Sequence, residues 1–147
     1  MKRNRLIVAI AIATALATAL VAEAKQKQAV TAAADTLSWK DFNPQRPGVK
    51  VAAVSGDLTK GAWKGLLKYP AGNKAPLHTH SADGVIVVIS GTFRFGDSAE
   101  NEKSYGPGSY IFVPAGMPHT NSTPEETMIF LEQPAKYDTK LSASAAK

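Results

Sequence analysis

The chain contains three histidines, and two of them are separated by a single residue. His78 and His80 flank Thr79, and side chains two residues apart on a β-strand lie on the same face. The third, His119, follows the turn sequence Pro-Ala-Gly-Met-Pro at the start of another predicted strand. Because neutral imidazole is the commonest protein ligand for metal ions, His78 and His80 are a candidate half of a metal site, and His119 is a candidate third ligand.

Glycines and prolines stand at fixed distances from these histidines. The first segment reads Gly72, five residues, His78-Thr79-His80, three residues, Gly84, six residues and Gly91. The second reads Gly108, five residues, Pro114-Ala115-Gly116, two residues, His119, three residues and Thr123. Both segments resemble the two motifs of the cupin superfamily. Residues 66–72 and 89–91 are also similar to a bacterial cupin group related to the cupin domains of zinc-binding anti-sigma factors.

The resemblance implies an all-β fold, a single-domain cupin built as a double-stranded β-helix or jelly-roll barrel that holds one divalent metal ion. The candidate ions are Fe, Zn, Ni and Mn, because imidazole suits all of them. Two positions depart from the motifs: Gly84 replaces a glutamate ligand, and Thr123 replaces an asparagine. Asp83 is a candidate fourth ligand if the loop shifts by one residue, although strand alternation otherwise turns it away. The absent side chain at Gly84 leaves room for water or substrate.

A pocket around the histidines needs walls from the same segments. The predicted pocket-lining residues are Gly84, Tyr110, Phe112, Met117 and Asn121. Tyr110 and Phe112 share one face of a predicted strand. Met117 stands between the turn and His119, and Asn121 lies two residues beyond His119 on the same strand face.

Short runs rich in Val, Ile, Phe and Tyr alternate with Gly, Pro, Asn and Asp, which is typical of strands joined by turns. The predicted strands cover residues 49–55, 62–69, 77–80, 85–90, 92–95, 109–113, 119–121 and 127–133. No window after the N-terminal segment shows a convincing helical period. Short strands at this spacing favour a sandwich or barrel, and we place one cupin domain at residues 37–139.

The N-terminal segment has the pattern of a secretory signal peptide, which we place at residues 1–24. A basic start precedes an apolar run at 6–21, and Ala-Glu-Ala supplies a cleavage site after Ala24. The run is shorter than the roughly 20 apolar residues of a membrane span, so no stable membrane anchor is expected after cleavage. Residues 25–36 are predicted to form a flexible arm, and 140–147 a disordered tail. The protein is therefore expected to be periplasmic or secreted.

Charge and cysteine content narrow the possible partners. The net charge is +5, and +3 without residues 1–24, which hold three basic residues and one acidic residue. Lysines and arginines are scattered rather than clustered, so no nucleic-acid binding is expected. The absence of cysteine excludes thiolate metal ligands and disulfides. We expect a small-molecule ligand or substrate, and a homodimer, because exposed sheet edges favour pairing.

Three functions remain open at this point. The first is a metal-dependent enzyme; the three-histidine set with open positions resembles the Fe(II) site of cupin dioxygenases, which favours a dioxygenase-type oxidoreductase. It equally resembles a three-histidine zinc site that activates water. The second is a non-catalytic module that binds or senses a metal or small ligand, as the similarity to anti-sigma-factor cupins implies. The third is a metal-free structural cupin whose histidines only form hydrogen bonds.

Overall fold

The computed structural model describes residues 28–142, and most of their regular structure is β-strand. The strands are β1 (Lys40–Asp41), β2 (Lys50–Gly56), β3 (Trp63–Tyr69), β4 (Asn73–Thr79), β5 (Gly84–Ser90), β6 (Phe93–Gly96), β7 (Lys103–Tyr105), β8 (Tyr110–Val113), β9 (His119–Thr123), β10 (Thr127–Gln133) and β11 (Lys140–Leu141). They form a six-stranded sheet, ordered β1-β2-β3-β10-β5-β8, and a five-stranded sheet, ordered β11-β4-β9-β6-β7. All strand pairs are antiparallel, and the predicted all-β jelly roll is confirmed.

The core lies between the two sheets and is built by the period-2 alternation of the central strands. In β3, every second residue from Trp63 to Tyr69 is buried, while the residues between them are exposed or half-buried. Ile129 on the neighbouring strand β10 and Phe93 on the opposite sheet belong to the same cluster. Each fully buried apolar side chain stabilises the fold by about 1.5–3 kcal/mol, so this alternation fixes which face of each strand points inward.

Every predicted strand is present, and the two that carry histidines are longer than expected. Strand β4 begins four residues earlier than predicted, at Asn73, and β9 continues to Thr123. Strands β1, β7 and β11 were not predicted, because each has only two or three residues and its side chains are mostly exposed. Such short edge strands carry no apolar pattern from which to recognise them.

A β-bulge in β4 places the first histidine on the inner face. The register against β9 shifts between Ala75 and His78, and both of these residues are buried although they are three positions apart. A regular strand would turn one of the two outward. Pro76 lies within the irregularity, where a residue without an N–H donor is tolerated. The bulge therefore keeps both halves of β4 facing the core.

The ends of the chain differ from expectation in one respect. Lys140 and Leu141, expected to begin a disordered tail, instead form β11 and pair with Thr79 and His78. The physical reason is that β4 would otherwise leave its outer N–H and C=O groups without partners. Within the expected arm, Ala34–Thr36 forms a single 3₁₀ turn. The predicted signal peptide and the last five residues of the predicted tail lie outside the described residues.

The only helical segments within residues 28–142 are the turn at Ala34–Thr36 and a second one at Ala99–Asn101. Neither has the length and hydropathy that a helix needs to cross a bilayer.

Gly91 shows why the cupin motif requires glycine between β5 and β6. Its φ is 74°, in the left-handed region, and a Cβ atom there would lie 2.3 Å from the carbonyl oxygen of Glu126. Any other residue would force the turn apart, since real Cβ atoms do not approach a backbone oxygen so closely. The turn after β5 is therefore packed directly against the residue that precedes β10.

Candidate metal centre

The three histidines come together at one end of the space between the sheets. His78 lies on β4 and His119 is the first residue of β9, and the two are register partners across the strand pair. His80 lies one residue beyond the end of β4. The centre of the His78 ring lies 4.9 Å from the centre of the His80 ring and 4.2 Å from that of the His119 ring. One ligand nitrogen from each ring lies within 4.8 Å of the other two.

Backbone carbonyl groups fix the orientation and tautomer of each ring. The Nδ1 atom of His78 lies 2.7 Å from the carbonyl oxygen of Pro76, and that of His119 lies 2.9 Å from the carbonyl oxygen of Met117. The Nδ1 atom of His80 lies 2.5 Å from the carbonyl oxygen of Asp138. A carbonyl oxygen only accepts hydrogen bonds, so each Nδ1 carries the proton and each Nε2 keeps its lone pair. A hydrogen bond of this kind, from the ring nitrogen that does not bind the metal, is the usual support of a metal-binding histidine.

Burial keeps the three imidazoles neutral. It lowers the pKa of His78 to about 4, opposed by the contact with the Pro76 carbonyl and reinforced by the other two histidines. Burial likewise lowers the pKa of His80 and His119, with the carbonyls of Asp138 and Met117 acting in the opposite direction. A histidine must be neutral to donate its lone pair to a metal. Three neutral, pre-oriented nitrogen donors therefore fit the divalent ion that the fold implies.

The histidines line a small, partly open cavity whose other walls come from both sheets and from two connecting segments. The space open to water is about 30 Å³, enough for an ion and a water molecule. The lining residues other than the histidines are Arg46, Tyr69, Gly84, Ile86, Phe93, Phe95, Val113, Asn121, Ile129, Leu131, Gln133 and Tyr137. None of these described lining residues carries a carboxylate. The ring of Phe95 lies 5.0 Å from that of His119, so the apolar walls reach the cluster itself.

The segment between β10 and β11 covers one side of the cluster. Tyr137 places its ring 5.3 Å from His80 and packs edge-on against Phe42, at 4.7 Å. The Asp138 carboxylate accepts hydrogen bonds from the backbone N–H of Ser81, at 2.8 Å, and from its hydroxyl, at 2.5 Å. The same residue supplies the carbonyl that holds His80. This segment therefore both shields and orients the second histidine.

Asp83, the candidate fourth ligand, does not join the histidine cluster. It is exposed, and its carboxylate accepts a hydrogen bond from the backbone N–H of Ala115 at 2.8 Å. The next amide along, that of Gly116, donates to the carbonyl oxygen of His80 at 2.8 Å. The expectation is corrected because the loop does not shift: Gly84 faces inward, so its neighbour faces outward. The carboxylate instead ties the loop after His80 to the turn before His119.

The structure separates the predicted pocket-lining residues into two groups. Gly84 and Asn121 line the cavity. Tyr110 and Phe112 do not: they are 62% and 49% exposed, because Ile111 and Val113 take the inward positions of β8.

Met117, also predicted to line the pocket, is half-buried and packs against the core beside Phe95 and Tyr105. Its side chain lines a shallow outer cleft rather than the cavity. The contribution of Met117 to the centre is its carbonyl oxygen, which holds the ring of His119.

Of the cavity residues that the sequence did not predict, two lie outside the strands. Arg46 lies in the loop between β1 and β2, and Tyr137 lies in the segment before β11. Neither stands near a motif, and no periodic pattern surrounds them. Both residues lie near prolines, which predict a loop. A predicted loop does not show which cavity its side chains reach.

Two antiparallel sheets around three clustered histidines define a cupin. Residues 27–136 match the family described as the ChrR cupin-like domain, and because the match spans most of the chain, the protein belongs to that family.

Individual relatives are more distant. The dimethylsulfoniopropionate lyase DddQ of Ruegeria pomeroyi is 33% identical over 54 residues, which is 37% of this chain and 27% of the lyase. The match thus spans about a quarter of the length of that relative.

Solved structures share the fold at lower identity. An RmlC-like cupin from Ralstonia eutropha superposes with a TM-score of 0.64 and 21% identity, covering 80% of this chain and 78% of its own. An acetylacetone dioxygenase from Acinetobacter johnsonii superposes with a TM-score of 0.63 and 15% identity, covering 83% and 82%. At these identities the likeness extends to the fold alone.

Proposed function

We propose that this protein binds one divalent metal ion through His78, His80 and His119 and acts on a small molecule, as an oxidoreductase of the dioxygenase type. The observation that carries the proposal is the convergence of three neutral imidazoles whose protons are all committed to backbone carbonyls. A bound divalent metal would supply Lewis-acid or redox chemistry at this point. The candidates are Fe, Zn, Ni and Mn, and a dioxygenase requires a redox-active one.

The chain's own residues supply position, exclusion of water and an open coordination side. The apolar walls formed by Ile86, Phe95 and Val113 keep bulk water from the cluster and lower the local dielectric. Gly84 leaves space where related motifs carry a glutamate, so a substrate or water can approach beside the histidines. The acetylacetone dioxygenase among the structural neighbours supports this reaction class.

The distant lyase relative offers a different reaction in the same fold. A second candidate function is a non-catalytic metal-binding or sensing module. The similarity to the cupin domains of anti-sigma factors favours it, and so does the size of the cavity beside the histidines, which is far below the roughly 300 Å³ of an ordinary ligand pocket.

One experiment distinguishes the two candidate functions. The protein is purified without chelators, its metal is quantified by elemental analysis, and oxygen consumption is followed after iron loading with a panel of small diketones and carboxylates. The control is Thr79→Ala, which alters the residue between two ligands without removing one. Iron-dependent oxygen uptake supports the enzyme. Stoichiometric metal with no turnover across the panel, together with a metal-dependent change in oligomeric state, supports the binding module.

Export and dimerisation complete the proposal. The signal-peptide pattern supports a periplasmic or secreted location, and fractionation of cells that express the full chain tests it. For the dimer, the outermost strand β8 presents Tyr110 and Phe112 to solvent, 62% and 49% exposed. An exposed edge with aromatic side chains is a surface on which a second copy can pair. Light scattering of the wild type and of Phe112→Asp tests this arrangement, since only the wild type should dimerise.

A further inference from the structure

The cavity beside the histidines contains a positive charge without a negative partner. Arg46 lines the cavity, and within residues 28–142 the ion pairs are formed by other residues, namely Lys50–Asp41, Lys60–Asp57 and Lys64–Glu132. One Nη atom of Arg46 donates to the side-chain oxygen of Asn73 at 2.9 Å, and the guanidinium lies 5.7 Å from the centre of the Tyr69 ring. These contacts hold the group in place without neutralising it.

Two hydrogen-bond donors on the cavity wall also lack an acceptor. The Nε atom of Arg46 and the Nδ2 atom of Asn121 are both buried and have no partner among the described residues. Asn121 is only 5% exposed. A buried donor left without an acceptor costs about 1–3 kcal/mol, and more when it is charged. Such donors on the wall of one cavity indicate an acceptor that arrives with the ligand.

Arg46 also connects the inner cavity with the exterior. A second cavity of about 340 Å³ shares Arg46 and His78 with the first, and is otherwise lined by Asn43, Gln45, Pro76, Thr139 and Leu141. None of these described residues is acidic. The outer cavity falls within the size range of small-molecule sites, whereas the inner one does not. A ligand seated in the outer cavity would therefore lie beside both the guanidinium and the first of the three histidines.

The net charge of the metal-loaded site also favours an anionic ligand. Three neutral imidazoles and a divalent ion leave two positive charges, Arg46 adds a third, and the motif position that supplies a carboxylate in related proteins is Gly84. A site with this excess stabilises an anion, and the planar guanidinium matches a carboxylate in both charge and geometry.

We propose that the substrate or ligand of this site is a small carboxylate, which enters through the outer cavity and binds to Arg46 and Asn121. This inference rests on the proposed function, because it assigns the ligand class of the same centre. It makes Arg46 the residue that selects anions, and it explains why the cavity wall carries no acidic side chain.

The test uses malonate as the probe and malonamide as its neutral counterpart, titrated calorimetrically into the zinc-loaded protein. Zinc is chosen because it undergoes no redox change, and its stoichiometry is measured in every sample. The variants are Arg46→Gln, Arg46→Lys and the control Lys74→Gln, which removes an exposed positive charge outside both cavities. All titrations are repeated with metal-free protein.

Arg46→Gln should weaken malonate binding at least about tenfold, Arg46→Lys should be intermediate, and Lys74→Gln should match the wild type. Malonamide should bind the wild type no better than malonate binds Arg46→Gln. If a thermal melt shows that Arg46→Gln is unfolded, Asn121→Ser tests the second donor and should weaken malonate binding by about threefold or more.

The failures of the two proposals are distinguishable. Wild type that does not bind zinc would contradict the proposed function, while Arg46-dependent binding of malonate to the metal-free protein would still support the carboxylate site. Full zinc stoichiometry combined with equal malonate affinity in the wild type and Arg46→Gln, or with no saturable malonate binding at all, would overturn the inference.

Discussion

His78 and His119 are paired residues of two neighbouring strands, and their ring centroids lie 4.2 Å apart. Two of the three histidines of the candidate metal centre are therefore part of the paired strands β4 and β9, and His80 follows directly after β4. A slip of one residue in that ladder would send one imidazole to the outer face. The register between β4 and β9 therefore also determines whether the two imidazoles lie on the same face.

Replacing one of these partners should remove the site while preserving the sheet. His119→Ala is expected to lower zinc affinity at least about 100-fold, because two nitrogen donors cannot complete the coordination of the ion. Competition titration with a chromophoric chelator measures the affinity. The control Thr79→Ala should remain within about threefold of the wild type, since it changes a neighbouring side chain but no donor. Equal affinity of His119→Ala and wild type would place the metal elsewhere.

Gly84→Glu should restore the charged position of the cupin motif. A Cβ atom at Gly84 would lie 3.8 Å from side-chain atoms of Leu131 and Gln133, which is ordinary van der Waals contact. The added carboxylate is expected to raise zinc affinity about tenfold or more through attraction to the divalent ion. Gly84→Gln, which has the same size but no charge, should not share this gain. A matching gain in Gly84→Gln would show that bulk, not charge, was responsible.

Asp138→Ala should loosen the cover over the second histidine. The carboxylate accepts two hydrogen bonds from Ser81, and its loss frees the backbone carbonyl that orients His80. We expect zinc affinity to fall about tenfold, the lower end of the range for outer supports of metal ligands. Asp138→Asn retains an acceptor oxygen for the Ser81 amide and should lie closer to the wild type. No change in either variant would mean that the ring is held by packing alone.

The metal-free protein should lose stability as the pH falls below the ordinary histidine pKa. Burial holds the pKa of His78 near 4, below its usual 6.5, and lowers the pKa of His80 and His119 as well. The unfolded chain therefore binds more protons between these values, so the stability present above pH 6.5 declines toward pH 4, by about 2–3 kcal/mol for His78. His80 and His119 lower the stability in the same direction.

Urea unfolding of metal-free protein at several pH values from about 5 to 7 measures this dependence. His78→Gln should flatten the profile, because its side chain does not titrate. A profile for the wild type that is equally flat would contradict the buried, neutral state of the histidines.

Two glycines of the first motif should differ sharply in their tolerance of alanine. Gly72 and Gly91 have the same φ of 74°, but a Cβ atom would meet nothing within 4 Å at Gly72 and a backbone oxygen at 2.3 Å at Gly91. Gly72→Ala should cost about 1–2 kcal/mol, the penalty of the left-handed conformation alone. Gly91→Ala should cost clearly more in a denaturant titration. Similar losses would show that the turn after β5 relaxes readily.

The sequence was sufficient to predict the cluster of histidines. It was not sufficient to predict which residues of an all-apolar strand face inward. The chain has three histidines, and their spacing together with that of the surrounding glycines and prolines indicated a cluster. Strand β8 reads Tyr-Ile-Phe-Val, in which no polar residue marks the outer face. Either alternation satisfies that pattern, so Tyr110 and Phe112 were assigned to the cavity, although Ile111 and Val113 point inward and Val113 is the one that lines it.

Arg46 and Tyr137 illustrate a different limit. Both reach the cavity from connecting segments, and their places depend on contacts with residues far away in the sequence. Arg46 is held by Asn73, 27 positions on, and Tyr137 packs against Phe42. Local patterns describe strands and turns, but they do not encode which distant loop closes over a site.

The hydrogen bond between His80 and the carbonyl of Asp138 also sets an order of events during biosynthesis. The acceptor lies 58 residues after the histidine that it orients. A growing chain could expose all three imidazoles and still lack the segment that aims one of them. Strand β11, which follows at Lys140–Leu141, anchors that segment by pairing with β4. The candidate centre is therefore complete only after the residues up to β11 have been synthesised.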